Sequence, residues 1–441
     1  MSVHLEGALN RQRMTGFQWQ IVGLCVLLNI IDGFDVMVMA FTAAAVSEHW
    51  GLSGTELGFL LSVGLLGMTA GSLVLAPWAD RLGRRPLIMI CLLISGMGMV
   101  ASSFSQTHTQ LGWLRFVTGL GIGGILASAN VIACEYASAK WRNFAISLLS
   151  VGYALGATFG GLVAVYLVSR FGWQSVFMVG GVATLLMVLW VYWALPESLA
   201  FLLAKRPRHA LSKVNDLNAR LQLPPLAELP LVPSAQAAAK QSLSALLNRE
   251  FRGASLGLWV TFFLTMFGFY FVMSWTPKLL TVSGLSAEQG MTGGILLSIG
   301  GIFGAVLYGL VTTRFSVFHT QLVFFILTAV LMVGFVYSID LGALAFLFGL
   351  GLGVCVNGCV ASLYAKAPTL YPSHIRTTGV GFGIGVGRIG GILSPMVAGS
   401  LLDQNWTPTT LYGVYALLFL LALLGLLYMH TQSGLVTRKG A

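Results

Sequence analysis

Twelve stretches of mostly apolar residues follow one another along this sequence, and they constrain its fold more than any other feature. Each is long enough for a helix to cross the hydrocarbon core of a membrane, which takes about 20 such residues. The chain is 56% apolar and only 9% charged, whereas soluble proteins contain about 25% charged residues. The sequence therefore predicts an all-α polytopic membrane protein and excludes a soluble globule, a disordered chain, a disulfide scaffold and a nucleic-acid-binding domain. The predicted spans are residues 18–40, 56–78, 87–105, 110–134, 143–168, 173–195, 254–276, 290–312, 319–338, 341–365, 377–402 and 409–430.

The spans fall into two sets of six, separated by the only long polar stretch of the chain. The two sets are similar in sequence, because Arg142 and Arg376 are 234 residues apart and the same interval joins Gly156 to Gly390. One transporter architecture is built from parallel six-helix repeats of this kind. We therefore expect two pseudo-symmetric six-helix bundles. The predicted boundaries are a cytoplasmic N-terminus at 1–17, an N-terminal bundle at 18–195, a cytoplasmic linker at 196–252, a C-terminal bundle at 253–430 and a cytoplasmic tail at 431–441.

Basic residues predict the orientation of the chain. With both termini in the cytoplasm, the cytoplasmic segments hold 20 of the 24 Lys and Arg residues, and the opposite side holds only Arg170 and Lys278. An excess of Lys and Arg in cytoplasmic loops is the usual rule for membrane proteins. The sequence therefore predicts a multi-pass protein with both termini cytoplasmic.

The polar linker contains one helical pattern among its six prolines and clustered charges. Leu211, Val214, Leu217 and Leu221 recur at the spacing of a helix face. This pattern predicts a short amphipathic helix, which we place on the membrane surface.

No group of residues indicates a cofactor or an enzyme. The five cysteines lie inside apolar stretches, where a free cysteine acts as a small packing residue. Neither a metal-ligand motif, nor a nucleophile beside a base, nor a phosphate-binding loop is present in the sequence. We expect no metal, no cofactor and no enzymatic activity.

The loop after the second span carries a charged motif over residues 80–85, Asp-Arg-Leu-Gly-Arg-Arg. Its arginines agree with a cytoplasmic loop, Asp80 opposes that charge rule, and Gly83 permits a sharp turn between two helices. The motif resembles the loop-2/3 signature of the major facilitator superfamily, whose fold has twelve helices in two bundles. Its copy in the second half retains Arg314 but has Thr313 in place of the acid.

Two further loops resemble signatures of the same superfamily, one between the fourth and fifth spans and one between the tenth and eleventh. In the superfamily these loops and the loop-2/3 motif take part in gating. The resemblance implies gating roles for Asp80, Arg81, Gly83, Arg84, Arg85, Glu135, Arg142 and Arg376.

Two acidic residues, Asp32 and Asp35, lie in the middle of the first span. A charge at the centre of a bilayer costs about 2.5–3.5 kcal/mol on insertion scales, so two of them indicate a function. Three residues advance a helix by about 300°, which places both carboxylates on one face. Burial and a like charge nearby favour the protonated carboxyl group, and we expect proton coupling by this pair. The alternative is a structural pair bonded to the backbone or to Arg115; the second half has Phe267 and Tyr270 at the corresponding positions.

Arg388, inside the eleventh span, is the candidate for binding a substrate carboxylate. Its counterpart in the repeat is Ala154, so symmetry does not require an arginine there. A guanidinium group holds a carboxylate by two parallel hydrogen bonds. The alternative is a structural ion pair. Arg115 is the competing cation, and its glycine-rich surroundings resemble the fourth-span motif of the superfamily, which favours gating or proton relay.

The segment Asp32-Gly-Phe-Asp35, with Gly-Arg388-Ile-Gly in the eleventh span, resembles the aromatic acid:proton symporters of the superfamily. The resemblance implies proton-coupled uptake of an aromatic or related organic acid by alternating access through the bacterial cytoplasmic (inner) membrane. The expected partners are the small organic acid, the proton and the lipid bilayer, with a functional monomer and no nucleic acid. Asp32 and Asp35 match the essential acids of the family, and the expected substrate-binding residues are Arg388, Arg115, Phe34, Tyr270 and Phe382.

Other functions on the same fold stay open. A proton-coupled carrier of sugar acids, or a drug-efflux carrier, has the same helix count. An integral-membrane enzyme would need a catalytic cluster, and a sensor would need a larger soluble domain than residues 196–252. The sequence has neither, and a transporter driven by an ion gradient is therefore the preferred interpretation.

Overall fold

The structure is a computed structural model that describes residues 14–138, 140–229, 246–248, 251–341, 343–371 and 373–439. The side chains of Asp80 and Arg376, both expected to act in gating, lie outside the described part. The described residues form helices and connecting turns, with no β-strand among them. Predictions for those two side chains therefore stay predictions.

Twelve of the helices in the described ranges are long and apolar enough to cross a membrane, which confirms the predicted number of spans. We number them α1 to α12 in chain order. They are α1 (Gly16–Trp50), α2 (Gly54–Val74), α3 (Arg84–Ser102), α4 (His108–Tyr136), α5 (Arg142–Phe171), α6 (Trp173–Ala194), α7 (Arg252–Val282), α8 (Ala287–Val311), α9 (Val317–Tyr337), α10 (Ala343–Lys366), α11 (Ser373–Asp403) and α12 (Pro408–Lys439).

Several helices are longer than their apolar stretches predict. Helix α1 has 35 residues and continues to Trp50, ten residues beyond its predicted end. At 1.5 Å per residue it is about 52 Å long, whereas the hydrocarbon core is about 30 Å thick. The apolar pattern therefore marks the part of the helix that lies in lipid and does not mark where the helix ends.

Helix starts follow the capping residues in the sequence. Helix α8 begins with a capping box, in which the Ser286 hydroxyl accepts from the Gln289 N–H and the Gln289 side chain accepts from the Ser286 N–H. The Thr107 hydroxyl caps α4 by accepting from the Gln110 N–H. These bonds satisfy backbone donors that a helix leaves unpaired at its N-terminus.

The chain divides into two compact units. The first comprises Met1–Val36, Val63–Gly160 and Trp173–Ala238, as far as these ranges are described. The second comprises Met37–Ser62, Gly161–Gly172 and Ala239–Ala441, with the same restriction. This division differs from the predicted bundle boundaries, because the C-terminal part of α1, the N-terminal part of α2 and the C-terminal end of α5 fall in the second unit.

The linker contains the predicted amphipathic helix, which spans Ala210–Arg220. The expected location on the membrane surface stays a prediction, but the structure shows what the apolar face contacts. Val214, Leu217 and Leu221 are buried in the core cluster of the first unit, together with Leu202 and Leu203 of the preceding short helix. The apolar face of this helix therefore packs on protein, because the short helix before it supplies a matching apolar surface.

Candidate functional site

The buried charges of the first unit lie where α1, α3 and α4 meet. Asp35 is 1% exposed, and its Oδ1 accepts a hydrogen bond from Arg115 Nη1 at 2.5 Å. The other amino group of Arg115 donates to the Asp35 carbonyl oxygen at 2.7 Å, and the Ser95 hydroxyl donates to Asp35 Oδ2 at 3.2 Å. Asp35 therefore has the arginine partner that the structural alternative names, and its expected part in proton coupling stays a prediction.

Asp32 is in a different situation, although it is one turn away on the same helix. It is 2% exposed, and its Oδ2 has no hydrogen-bond partner among the described residues. Nε of Arg115 likewise has none there. A buried oxygen without a donor is costly when the carboxyl group is ionised. The two aspartates that the sequence presents as a pair are therefore chemically distinct.

Phe34 lies between these aspartates in sequence, and its ring packs inside the first unit. A Cβ at Gly160 on α5 or at Gly180 on α6 would overlap the Phe34 ring. The two glycines thus leave the space that the ring fills. This contact is helix packing, and the expected role of Phe34 in binding a substrate stays a prediction.

Arg388 lies on α11 in the second unit. Its guanidinium group is within electrostatic range of the hydroxyl groups of Tyr270 on α7 and Tyr364 on α10. The Tyr270 ring lies directly on α11, because a Cβ at Gly391 would overlap it. Tyr364 was not identified from the sequence, since it lies on a different helix from Arg388 and only the fold brings the two side chains within this range.

Phe382, the last expected ring residue, lies on α11 beside a tryptophan that sequence reasoning did not single out. The ring centroids of Phe382 and Trp259 are 4.6 Å apart, with an angle of 50° between the ring planes. The indole N–H of Trp259 is buried without a hydrogen-bond partner in the described residues. The second unit therefore places a cation, two phenols and an indole donor on α7, α10 and α11.

The motif between α2 and α3 is the centre of a polar cluster in the first unit. Arg84 forms an ion pair with Glu135 at the end of α4, and Arg84 Nη1 also donates to the Ser198 hydroxyl at 2.6 Å. The Ser198 hydroxyl in turn donates to Glu135 Oε2 at 2.5 Å. These three side chains connect the loop, α4 and the segment after α6.

Glu197 completes this cluster and was not among the expected gating residues. Its Oε1 accepts from the backbone N–H of Arg84 at 2.9 Å and from that of Ser198 at 2.8 Å. Gly83 has a φ of 102°, which favours glycine, and a Cβ there would overlap the Glu197 carboxylate. The glycine is therefore required both by the turn and by the close approach of Glu197.

The remaining gating candidates have separate environments. Arg85 donates to the Tyr192 carbonyl oxygen, and its guanidinium group lies 5.5 Å from the Tyr192 ring centroid. Arg81 is exposed. Nε of Arg142 is buried, with no hydrogen-bond partner in the described part of the chain. The described residues contain no group of His, Cys, Asp and Glu side chains that could hold a metal ion.

Twelve spanning helices with charged side chains buried at mid-span define a membrane transporter, since such charges mark transport paths. The chain matches the Major Facilitator Superfamily over residues 25–369. It belongs to that superfamily and, by its similarity to characterised members, to the aromatic acid transporters within it. It is therefore a transporter and not an enzyme.

The similar proteins include several carriers of benzoic acids. The chain is 31% identical to the 4-hydroxybenzoate transporter PcaK of Pseudomonas aeruginosa, covering 91% of this chain and 90% of that protein. It is also 31% identical to the gallate transporter of Pseudomonas putida, over 91% and 89% of the two chains. Among solved structures, a D-xylose-proton symporter superposes with a TM-score of 0.73 at 16% identity, covering 94% of this chain and 97% of the symporter. The last likeness confirms the expected fold class.

Proposed function

We propose that this protein takes up an aromatic carboxylic acid together with protons, by alternating access. The observation that carries the proposal is the buried Asp32 carboxyl group, which has an oxygen without a partner among the described residues, beside the ion pair of Asp35 and Arg115. An ionised carboxylate in that place needs a compensating group, whereas a protonated one is neutral. Asp32 is thus suited to gain and lose a proton during transport.

Asp35 has a different part in this proposal. Its Oδ1 accepts a hydrogen bond from Arg115 Nη1 at 2.5 Å, which leaves Asp32 as the mid-span acid of α1 without an arginine partner of this kind among the described residues. In the proposal the pair with Asp35 keeps Arg115 in place. In this scheme Asp32 carries the proton, while Asp35 and Arg115 are positioning residues.

The proposed substrate class rests on the relatives and on the chemistry around Arg388. The relatives are transporters of 4-hydroxybenzoate, gallate and benzoate, each a carboxylate on an aromatic ring. The Arg388 guanidinium group offers two parallel hydrogen bonds to such a carboxylate. Tyr270 and Phe382 offer ring faces and edges. We propose Arg388 as the carboxylate-binding residue and these rings as its aromatic surroundings.

The proposed direction of transport rests on coupling to the proton gradient. The excess of Lys and Arg in one set of loops supports a cytoplasmic location of both termini and of the polar cluster around Arg84. We place the protein in the bacterial cytoplasmic membrane, where the proton gradient is directed inward. A symporter there accumulates its acid inside the cell.

The test is uptake of labelled 4-hydroxybenzoate into proteoliposomes with an alkaline interior. We expect accumulation above the external concentration, collapse of that accumulation by a protonophore, and competition by unlabelled benzoate and gallate. Glucuronate, a sugar acid, should not compete. The proposal would be contradicted if the accumulation of 4-hydroxybenzoate did not depend on the pH gradient, or if glucuronate were the only competitor.

A further inference from the structure

Asp403, the last residue of α11, binds the first turn of α2, although 348 residues separate it from Thr55. Its Oδ1 accepts from the Gly54 N–H at 2.6 Å. Its Oδ2 accepts from the Thr55 N–H at 2.8 Å and from the Thr55 hydroxyl at 2.5 Å. A carboxylate at a helix N-terminus is stabilised by the free N–H groups there. Three donors of α2 therefore converge on one side chain of α11.

Helix α2 does not need Asp403 in order to begin, because it has a capping box of its own. The Ser53 hydroxyl accepts from the Glu56 N–H at 3.2 Å, and Glu56 Oε2 accepts from the Ser53 N–H at 2.9 Å. Asp403 binds the two N–H groups between these residues. Its contribution is therefore a connection between two helices rather than the termination of one.

The helices beneath this connection touch through their backbones. A Cβ at Gly399 would overlap the Gly54 carbonyl oxygen, and a Cβ at Gly58 would overlap the Pro395 carbonyl oxygen. Asp403 and Thr55 are exposed, so water can replace their hydrogen bonds when the helices part. A contact with these properties can open and close.

The repeat does not require an acid at this position. The residue that corresponds to Asp403 is Ser169 at the end of α5, whose hydroxyl donates within its own helix to the Tyr166 carbonyl oxygen at 3.1 Å. The repeat therefore does not reproduce this connection, which is not a general feature of the fold.

We propose that Asp403 is the latch of the outer gate: it holds the ends of α2 and α11 together in the inward-facing state and releases α2 when the outer side opens. The proposal rests on the proposed function, which supplies alternating access and places these ends outside the cell. The carboxylate stabilises only the closed arrangement, since Asp403 reaches its three donors on α2 only while the two helices touch.

The experiment uses the substitution Ser62→Cys, at a buried residue two helical turns below Gly54 on the same face of α2. The Ser62 hydroxyl has no hydrogen-bond partner in the described residues, so a thiol replaces it without removing a bond. Intact cells that express the full chain with Ser62→Cys are treated, without substrate, with a membrane-impermeant maleimide. The chain without this change gives the background of the five native cysteines.

Adding Asp403→Ala should raise the labelling rate of the introduced thiol about 5-fold, the change expected from losing one helix-capping acceptor. Asp403→Asn, which keeps one carbonyl oxygen, should give a smaller rise. Glu288→Ala is the matched control, because it removes an exposed acid of the same outer face and should leave labelling unchanged.

The proposed latch would be refuted if Asp403→Ala left the rate of maleimide labelling unchanged, or if Glu288→Ala raised that rate equally. If Asp403→Ala does not reach the membrane, the same comparison is made with Asp403→Asn, and an unchanged rate there overturns it equally. Because the labelling needs no substrate, a rise in labelling with failed 4-hydroxybenzoate uptake would refute the proposed substrate and leave the latch standing.

Discussion

Helices α1 and α7 occupy equivalent places in the repeat, yet they carry opposite chemistry. Helix α1 has Asp32 and Asp35, both at most 2% exposed. Helix α7 has Phe267 and Tyr270 at the corresponding positions, and the Phe267 ring stacks on the Tyr415 ring with centroids 5.4 Å apart. The same place in the fold is thus held together by charge in one half and by aromatic packing in the other.

The cations inside the spans differ between the halves in the same way, with Arg115 buried and Arg388 half-buried. Arg115 in the first half corresponds to Ala345, and Arg388 in the second half corresponds to Ala154. The first half therefore contains charges of both signs and neutralises Asp35 internally. The second half contributes a cation within electrostatic range of two tyrosine hydroxyl groups. The comparison teaches that helix packing alone requires neither the charged residues of the first half nor the cation of the second half. It supports the proposal that the first half binds the proton and the second half binds the substrate.

The largest expected effect comes from the aspartates of α1. Asp32→Asn should abolish concentrative uptake and leave the amount of folded protein unchanged, because the amide cannot exchange a proton. Asp35→Asn should abolish uptake as well, and it should also destabilise the protein by about 3–5 kcal/mol, since it leaves Arg115 buried without its counter-charge. The measurements are uptake into vesicles with an imposed pH gradient and thermal unfolding of the purified protein.

The two variants together test whether the aspartates are as different as their contacts indicate. Equal stability of Asp32→Asn and Asp35→Asn would show that the ion pair with Arg115 contributes little. Accumulation at the wild-type level by both would remove these residues from the mechanism.

The next largest effect should come from Arg388. Losing a buried charge partner costs about 2–5 kcal/mol, so Arg388→Ala should weaken binding of benzoate at least about 30-fold. Benzamide, which carries no charge, should bind both proteins equally. Arg388→Lys should recover only part of the affinity, because an ammonium group lacks the planar pair of donors.

Calorimetric titration of benzoate and benzamide against the three proteins decides this point. Equal losses for the acid and the amide would mean that Arg388 supports the fold of α11. In that case the second half would have to bind the carboxylate elsewhere.

The smallest effect is expected in the loops. Glu135→Gln removes the charge that pairs with Arg84 and should slow transport several-fold with an unchanged dissociation constant for substrate. Asp80→Asn should do the same if the motif acts in gating. Arg314→Ala, in the degraded copy of the motif, should do less. Initial uptake rates and equilibrium binding on purified protein separate the two quantities, and lost binding in Asp80→Asn would extend the substrate site to this loop.

The number of spans could be predicted because a membrane requires a minimum length of apolar helix, which a sequence displays directly. The charged residues inside the spans could be predicted for a related reason. Asp32, Asp35 and Arg388 lie within apolar stretches, where placing a charge in the membrane costs free energy. The ends of the helices could not be predicted in this way, because α1 continues to Trp50 and is longer than the hydrocarbon core is thick. Polar residues outside the membrane do not stop a helix that has no breaker.

The contacts between distant residues could not be predicted either. Nothing local indicates that Glu197 receives the N–H of Arg84, 113 residues away, or that Tyr364 lies beside Arg388. The sequence could not predict the difference between Asp32 and Asp35 either, because the two residues have the same side chain and lie on the same helix face. It depends on α4, which brings Arg115 to one carboxylate only.

The close contact of α1 with α5 has a mechanical consequence for the aspartates. A Cβ at Gly33 would overlap the Tyr153 carbonyl oxygen, and a Cβ at Gly156 would overlap that of Ile30, so the two backbones touch on both sides of Asp32. Because the two backbones are in direct contact, α1 cannot shift towards α5 at Asp32 without moving α5 as well. In the proposed mechanism, α1 and α5 would therefore move together when Asp32 gains or loses its proton.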